Sequence, residues 1–210
     1  MKKAKKIKVG IEKVNKVYHI ADIHIRNLKR HKEYREVFSH LYGYILSTME
    51  ENDIIYIAGD IVHAKTDMSP EVIDLTQELF TRLADLLPTI VIPGNHDANL
   101  NNTSRLDALT PIVNALNHPN LFYLKDSGAW SLGNLSIVHQ SVWDKSPGFP
   151  PASDYSGDVK IGVFHGPVDK IETEHGFAIE NKNINVGNFD GYDMVMLGDI
   201  HKPNNPVQGV

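Results

Sequence analysis

Thr89–Asp97 reads TIVIPGNHD: a short apolar strand, a Pro-Gly stop, and then Asn95, His96 and Asp97 in a row. The same ending recurs along the chain. HIADIH supplies Asp22 and His24, YIAGDIVH supplies Asp60 and His63, VFHG supplies His165, and LGDIH supplies Asp199 and His201. In an open α/β sheet, ligands bind at the carboxyl ends of the strands, so these side chains should converge. Residues two apart in an extended segment face the same side, which makes Asp22/His24 and Asp199/His201 candidate pincers. A buried carboxylate without a partner costs several kcal/mol, and five strand ends of this kind are hard to explain as caps or turns. The donors are oxygen and imidazole without sulfur, a set suited to Mn(II), Mg(II), Fe(II) or Zn(II). They exceed what one ion needs. Two divalent ions sharing a bridging carboxylate, Asp60, fit better.

The segments between these strands set the fold class. HKEYREVFSHLYGYILSTMEE places Tyr34, Val37, Phe38, Leu41, Ile45 and Met49 on one helical face. SPEVIDLTQELFTRLADLL reads as a helix with Ser69 as N-cap and Pro70 at its first position. DIIYIAGD has almost no polar interior, as in a sheet buried on both faces. The order β-α-β-α-β predicts a parallel sheet. Beyond it come a polar loop (ANLNNTSRLD), a short helix at PIVNALN, a strand at NLFYLKD and a hairpin turning at Gly133-Asn134. Two more strands, VKIGVFHG and YDMVMLGDIH, flank a long polar stretch, IETEHGFAIENKNINVGNFDG, which is a candidate substrate-side loop.

Bulk properties narrow the rest. With 210 residues, 41% hydrophobic and 22% charged, the chain has room for one domain with a substantial core. It has no cysteine, which removes disulfides and thiolate metal sites and fits a reducing compartment. No apolar run approaches the roughly 20 residues that span a bilayer, so no membrane role and a cytoplasmic location are expected. The net charge is −5, with lysines at 2, 3, 5, 6 and 8, leaving −10 on the remainder. A protein acidic overall needs local patches or bound metal to meet a phosphate. Residues 1–8 are expected to be a basic, solvated tail. His31, His40, His118 and His175 are expected in solvent, and His19 and His139 as hydrogen-bonded bystanders within strands.

The ordered set D-x-H, G-D-x-x-H, G-N-H-D, H-G and G-x-x-H, from Val17 to about Pro203, resembles the calcineurin-like metallophosphoesterase superfamily. GDIVHAKTDMSPE and the later SRLD resemble its DNA double-strand-break repair nuclease branch, the SbcD type. The asparagine-rich loop is similar to members encoded by phages and large DNA viruses, which would place the protein in a host cytoplasm. The resemblance implies an α/β fold in which a β-sheet sandwich flanked by helices carries a dinuclear site at the strand C-terminal ends. It implies that Asp22, His24, Asp60 and His201 hold one ion, and that Asp60, Asn95, His165 and Asp199 hold the other. His96 would protonate the leaving oxygen, His63 would steady the phosphate or orient His96, and Asp97 would support the ligands. The superfamily usually has G-H-x-H where this chain has Gly198-Asp199-Ile200-His201. A carboxylate at 199 adds negative charge and favours harder ions, Mn(II) above all, over Zn(II).

The function implied is metal-dependent DNA hydrolysis, as a 3′–5′ exonuclease and single-strand endonuclease in repair, recombination or end processing. An SMC-like ATPase partner and a homodimer come with that branch. IRNLKRHK offers Arg26, Lys29, Arg30 and Lys32 for DNA phosphates, and Arg105 follows the third motif. One alternative is an esterase for phosphomonoesters or small phosphodiesters. Another is a non-catalytic DNA- or ATPase-binding scaffold, which the intact His96 argues against. Family members continue past the last motif, so 9–210 is expected to be the nuclease domain without its last strands and capping domain.

Overall fold

The computed structural model describes residues 3–169 and 183–200. Its elements in chain order are β1 (Lys5–Lys6), β2 (Val17–Ile20), α1 (His31–Thr48), β3 (Ile54–Ala58), α2 (Pro70–Leu86), β4 (Thr89–Ile92), α3 (Thr110–Leu116), β5 (Leu121–Tyr123), β6 (Gly128–Leu132), β7 (Leu135–Gln140), β8 (Val159–His165) and β9 (Met194–Gly198). They form two sheets. The first is parallel throughout, in the order β2-β3-β4-β5. The second runs β1-β6-β7-β8-β9, parallel except for the β6–β7 hairpin, whose last pair Leu132 and Leu135 brackets the Gly133-Asn134 turn.

The burial of β3 explains why its sequence shows no polar alternation. Ile55 and Ile57 pack with Phe38, Ile45, Leu75 and Leu79 of the helices, while Ile54, Tyr56 and Ala58 pack with Ile137, Ile161 and Val163 of the second sheet. A strand covered on both faces needs apolar side chains on both. The outer face of the second sheet is closed by irregular chain carrying Phe149, Tyr155, Ile184 and Phe189. The result is a helix layer, two sheets and a loop layer, as expected for a flanked sheet sandwich.

Helix α2 follows its sequence signals. The Ser69 hydroxyl accepts the Val72 N–H at 3.4 Å, Pro70 opens the helix, and Val72, Leu75, Leu79, Phe80 and Leu83 form its buried face. In α1 the buried face is rotated from the expected one: Phe38, Tyr42 and Ile45 are inside, and Val37 is 61% exposed. The basic N-terminal segment also differs from a frayed tail. Lys5 and Lys6 pair with Trp130 and Ser131, and Ile7 is buried beyond them. Among the described residues no helix is long and apolar enough to cross a membrane.

Candidate metal centre

The ends of β2 and β3 stay laddered after both strands finish. The N–H groups of Asp22, His24 and Ile25 donate to the carbonyls of Gly59, Asp60 and Ile61, and the His63 N–H returns to the Ile25 carbonyl. Through this register Asp22, His24 and Asp60 come together. Their backbone is not the extended one the sequence suggested. Asp22, His24, Asp60 and Asp199 have φ of 54°, 51°, 53° and 81°, four of the eight non-glycine residues with positive φ among the described residues. Such residues cost about 1–3 kcal/mol each and gather at functional sites. Asp22 and His24 therefore converge through two left-handed turns, not through strand alternation. Likewise β9 stops at Gly198, and Asp199 turns inward. The Asp199 N–H donates to Asp22 Oδ1 at 2.9 Å, tying together the ends of strands from different sheets.

Asp60 occupies the middle and is 1% exposed. Its Oδ1 accepts the His96 N–H at 2.9 Å, which locks it to the GNHD turn. Its Oδ2 lies 3.6 Å from His24 Nε2 and 3.3 Å from His165 Nε2. His165 Nε2 is also 3.1 Å from Asn95 Oδ1 and 4.0 Å from Asp199 Oδ1. Since a carbonyl only accepts, His165 Nδ1 carries the hydrogen donated to Ala58 O at 2.6 Å, and Nε2 faces the carboxylates. Glycines make room for this ring. An added Cβ would come within 2.6 Å of His165 Nδ1 at Gly59 and within 2.5 Å at Gly198.

The electrostatics call for a cation. Burial alone would lower the pKa of His165, yet its hydrogen bond and charge contact with Asp60 raise it to about 9. Burial alone would raise that of Asp60, and the same contacts hold it below the ordinary carboxylate value. A proton held this tightly between carboxylates marks a pocket short of positive charge. The ligating atoms of Asp22, His24 and Asp60 lie within 4.8 Å of one another, as do those of Asp60, His165 and Asp199. The donor set and the inward-facing Nε2 of His165 fit divalent ions. Asp22, His24 and Asp60 would hold one, and Asp60, Asn95, His165 and Asp199 the other. His201, expected as a ligand of the first, lies outside the described residues, as does most of the expected substrate-side loop.

Asp97 is fully buried and supports the turn instead of facing the ligands. Its carboxylate accepts N–H groups from Ile61 (3.3 Å), Val62 (3.0 Å) and Gly94 (2.9 Å). Burial pushes its pKa up to about 7 against the pull of these donors. His63 and His96 stack at the edge of the centre, ring centroids 5.6 Å apart, with the His24 ring 5.8 and 4.8 Å away. His96 Nδ1 donates to the His63 carbonyl at 2.6 Å, leaving Nε2 as its second functional atom. Arg26, Lys29, Arg30 and Arg105 are exposed, as is Lys32. Arg30 pairs with Glu33 at 2.5 Å and Lys32 with Glu36 at 3.8 Å, so two of the five candidate phosphate contacts are already engaged.

Several contributors were not evident in the sequence. Lys65 Nζ donates to the Asn95 carbonyl at 3.1 Å, and the Tyr34 hydroxyl to the His24 carbonyl at 2.6 Å. A faint signal existed for Tyr34 in its place on the inner face of α1. Lys65 had none. His31 and His118, expected in solvent, are bonded to the Arg26 carbonyl and to Asp85.

Residues 15–203 match the calcineurin-like phosphoesterase pattern. The chain belongs to that family. Its cluster of carboxylates and imidazoles sits where the strands end. The chain is 44% identical over 196 residues to uncharacterized protein R555 of Acanthamoeba polyphaga mimivirus, covering 89% of its own length. It spans only 14% of the length of that relative. Among solved structures it is similar to the nuclease MPE of Pseudomonas putida, with a TM-score of 0.40 and 15% identity over 78% of this chain and 66% of that one.

Proposed function

We propose that the phosphoesterase is a DNA nuclease that hydrolyses phosphodiester bonds with two divalent ions, Mn(II) first among them. The observation that supports this most directly is the stack of His63 on His96 beside the shared Asp60. A histidine three residues after the bridging aspartate is the feature that resembles the repair-nuclease branch. Divalent ions held by these ligands would supply an activated water and neutralise the phosphate charge. Asp60 Oδ2 faces both ligand groups and is the carboxylate suited to be shared. His96 is held by the bond from Nδ1 to the His63 carbonyl, so protonated Nε2 can donate to a leaving 3′ oxygen. His63, exposed beside it, would steady the phosphate. Lys65 fixes the backbone of Asn95, and Asp97 holds Gly94 against the end of β3. Asp199, with an oxygen in place of the usual nitrogen, favours the harder ions. Arg26, Lys29 and Arg105 extend the reading to phosphates beyond the scissile one.

The repair role, the 3′–5′ polarity, the single-strand endonuclease activity, an SMC-like ATPase partner and self-association belong to the same proposal. So does a viral origin in a host cytoplasm, which the mimivirus relative supports. The test compares linear DNA, bis(4-nitrophenyl) phosphate and 4-nitrophenyl phosphate in Mn(II). Degradation of DNA and the diester is expected, with His96→Gln slowing DNA hydrolysis by about 10²–10⁴-fold and the nitrophenyl diester far less, because nitrophenolate leaves without a proton, while metal uptake is kept. Hydrolysis of the monoester alone would overturn the nuclease reading.

A further inference from the structure

A cavity of about 510 Å³ opens beside Asn95, His165 and Asp199, at the C-terminal ends of β7 and β8. That volume lies in the range of small-molecule sites. Its far wall includes Gln140, Phe164 and Lys145. Gln140 and Phe164 are cross-strand neighbours in the register of β7 and β8, and they are 3% and 7% exposed. The wall is braced. Ser141 Oγ donates to the Lys125 carbonyl at 2.7 Å, Ser127 Oγ donates to Asp144 at 2.7 Å, and Asp144 accepts the Ser146 N–H at 2.9 Å.

Gln140 is the anomaly in this wall. Its Nε2 donates to the Ser146 carbonyl at 3.2 Å, while Oε1 is shielded and has no hydrogen-bond partner among the described residues. A buried acceptor left unpaired is destabilising, and such groups call for an explanation. The surroundings say what would satisfy it. Phe164 offers an apolar ring beside an amide acceptor, and the exposed Lys145 offers a cation at the rim. A planar group with an N–H on its edge, joined to a phosphate, matches all three.

We propose that Gln140 selects substrates by accepting an N–H from the base of the nucleoside esterified to the scissile phosphate. This rests on the nuclease reading above. The amide must turn toward the ligand, which is cheap because terminal amide torsions are broad and the bond to Ser146 is long.

The experiment uses the full chain in Mn(II) with three diesters: thymidine 5′-(4-nitrophenyl) phosphate, its N3-methyl analogue without the donor, and bis(4-nitrophenyl) phosphate. Wild type should prefer the thymidine ester over the methylated one by about tenfold in kcat/KM, the worth of one hydrogen bond. Gln140→Met should abolish that preference and leave bis(4-nitrophenyl) phosphate within about twofold. The methylated ester poses the question to wild type even if the variant fails to fold. Equal hydrolysis of the two thymidine esters by wild type overturns the proposal, as does an equal loss on all three in the variant. Calorimetry of thymidine 5′-monophosphate against its N3-methyl form repeats the comparison without turnover. A chain inactive on every diester but discriminating in that titration would overturn the nuclease reading and keep the base contact.

Discussion

Replacing Gly94 with alanine should disable the centre without touching a ligand. A Cβ at this position would stand 2.1 Å from Asp60 Oδ1, 2.4 Å from Asp60 N and 2.7 Å from Asp60 Cγ. Ordinary contacts begin near 3.4 Å, so more than an ångström must be found. The backbone cannot give it, because Asp60 is 1% exposed and its carbonyl is held by the His24 N–H at 2.9 Å. Overpacking of this kind costs about 1–3 kcal/mol, and the contact with backbone argues for the upper end. For a domain of this size about 3 kcal/mol corresponds to a Tm lower by about 6–12 °C. The carboxylate is the part that can move, and moving it breaks the bond to the His96 N–H and spoils its aim at His24 and His165. Mn(II) affinity should fall by about 100-fold or more, the upper end for disturbed ligand support. Thermal unfolding without metal and calorimetric Mn(II) titration check both parts. Gly43→Ala is the control: it sits in α1 with nothing within 4 Å of its Cβ and should be neutral or slightly stabilising. A Gly94→Ala chain with wild-type Tm and wild-type Mn(II) affinity would refute the steric argument.

Two further outcomes are expected. His139 is fully buried and donates to the Asp126 carbonyl, and burial lowers its pKa to about 4. Its folded value lies below the unfolded 6.5, so the unfolded chain binds the extra proton, and stability is lost as pH falls from 6.5 toward 4. Urea titrations at pH 7 and pH 4.5 should show a loss of about 2 kcal/mol from this group, following the proton linkage, and His139→Asn should remove most of it. An identical pH profile in the variant would exclude His139 as the cause. For the basic rim, replacing Arg26, Lys29, Arg30 and Arg105 with alanine should lower the slope of log affinity against log salt for DNA by about 2 to 3 rather than 4, because Arg30 is already paired with Glu33. An unaltered slope would clear them of phosphate contact.

Much of the site was legible in the sequence because its residues stand at strand ends, and strand ends are marked by abrupt loss of apolar character. Asp22, His24, Asp60, Asn95, His165 and Asp199 were picked out on that pattern, and the structure gathers them. The backbone that gathers them was not legible. Left-handed φ at Asp22, His24 and Asp60 goes with the ladder between residues 22–25 and 59–63, a contact made only once both strands are in place, and at Asp199 with its N–H bond to Asp22. The glycines before Asp60 and Asp199 could be read as strand breakers. Their clearance for the His165 ring is a property of the packed site. Helix α2 was legible because its cap and apolar spacing agree. The face of α1 differs from the expected one because Val37 and Tyr42 both fit an apolar stripe, and it is Tyr42 that is covered, with Arg82 of α2 over its ring. Gln140 carried no sequence signal, because an amide at a strand end is commonplace until its acceptor is found unpaired.

Counting ions is the most direct test of the account. Purified chain titrated with Mn(II) and analysed for bound metal should hold two ions per chain, and the Asp60→Asn variant, still folded, should lose both or keep one weakly. DNA hydrolysis should disappear with the ions and return when they are restored. A folded wild-type chain that takes up no divalent metal, or an Asp60→Asn chain with undiminished binding and cleavage, would contradict the shared centre on which the whole account depends.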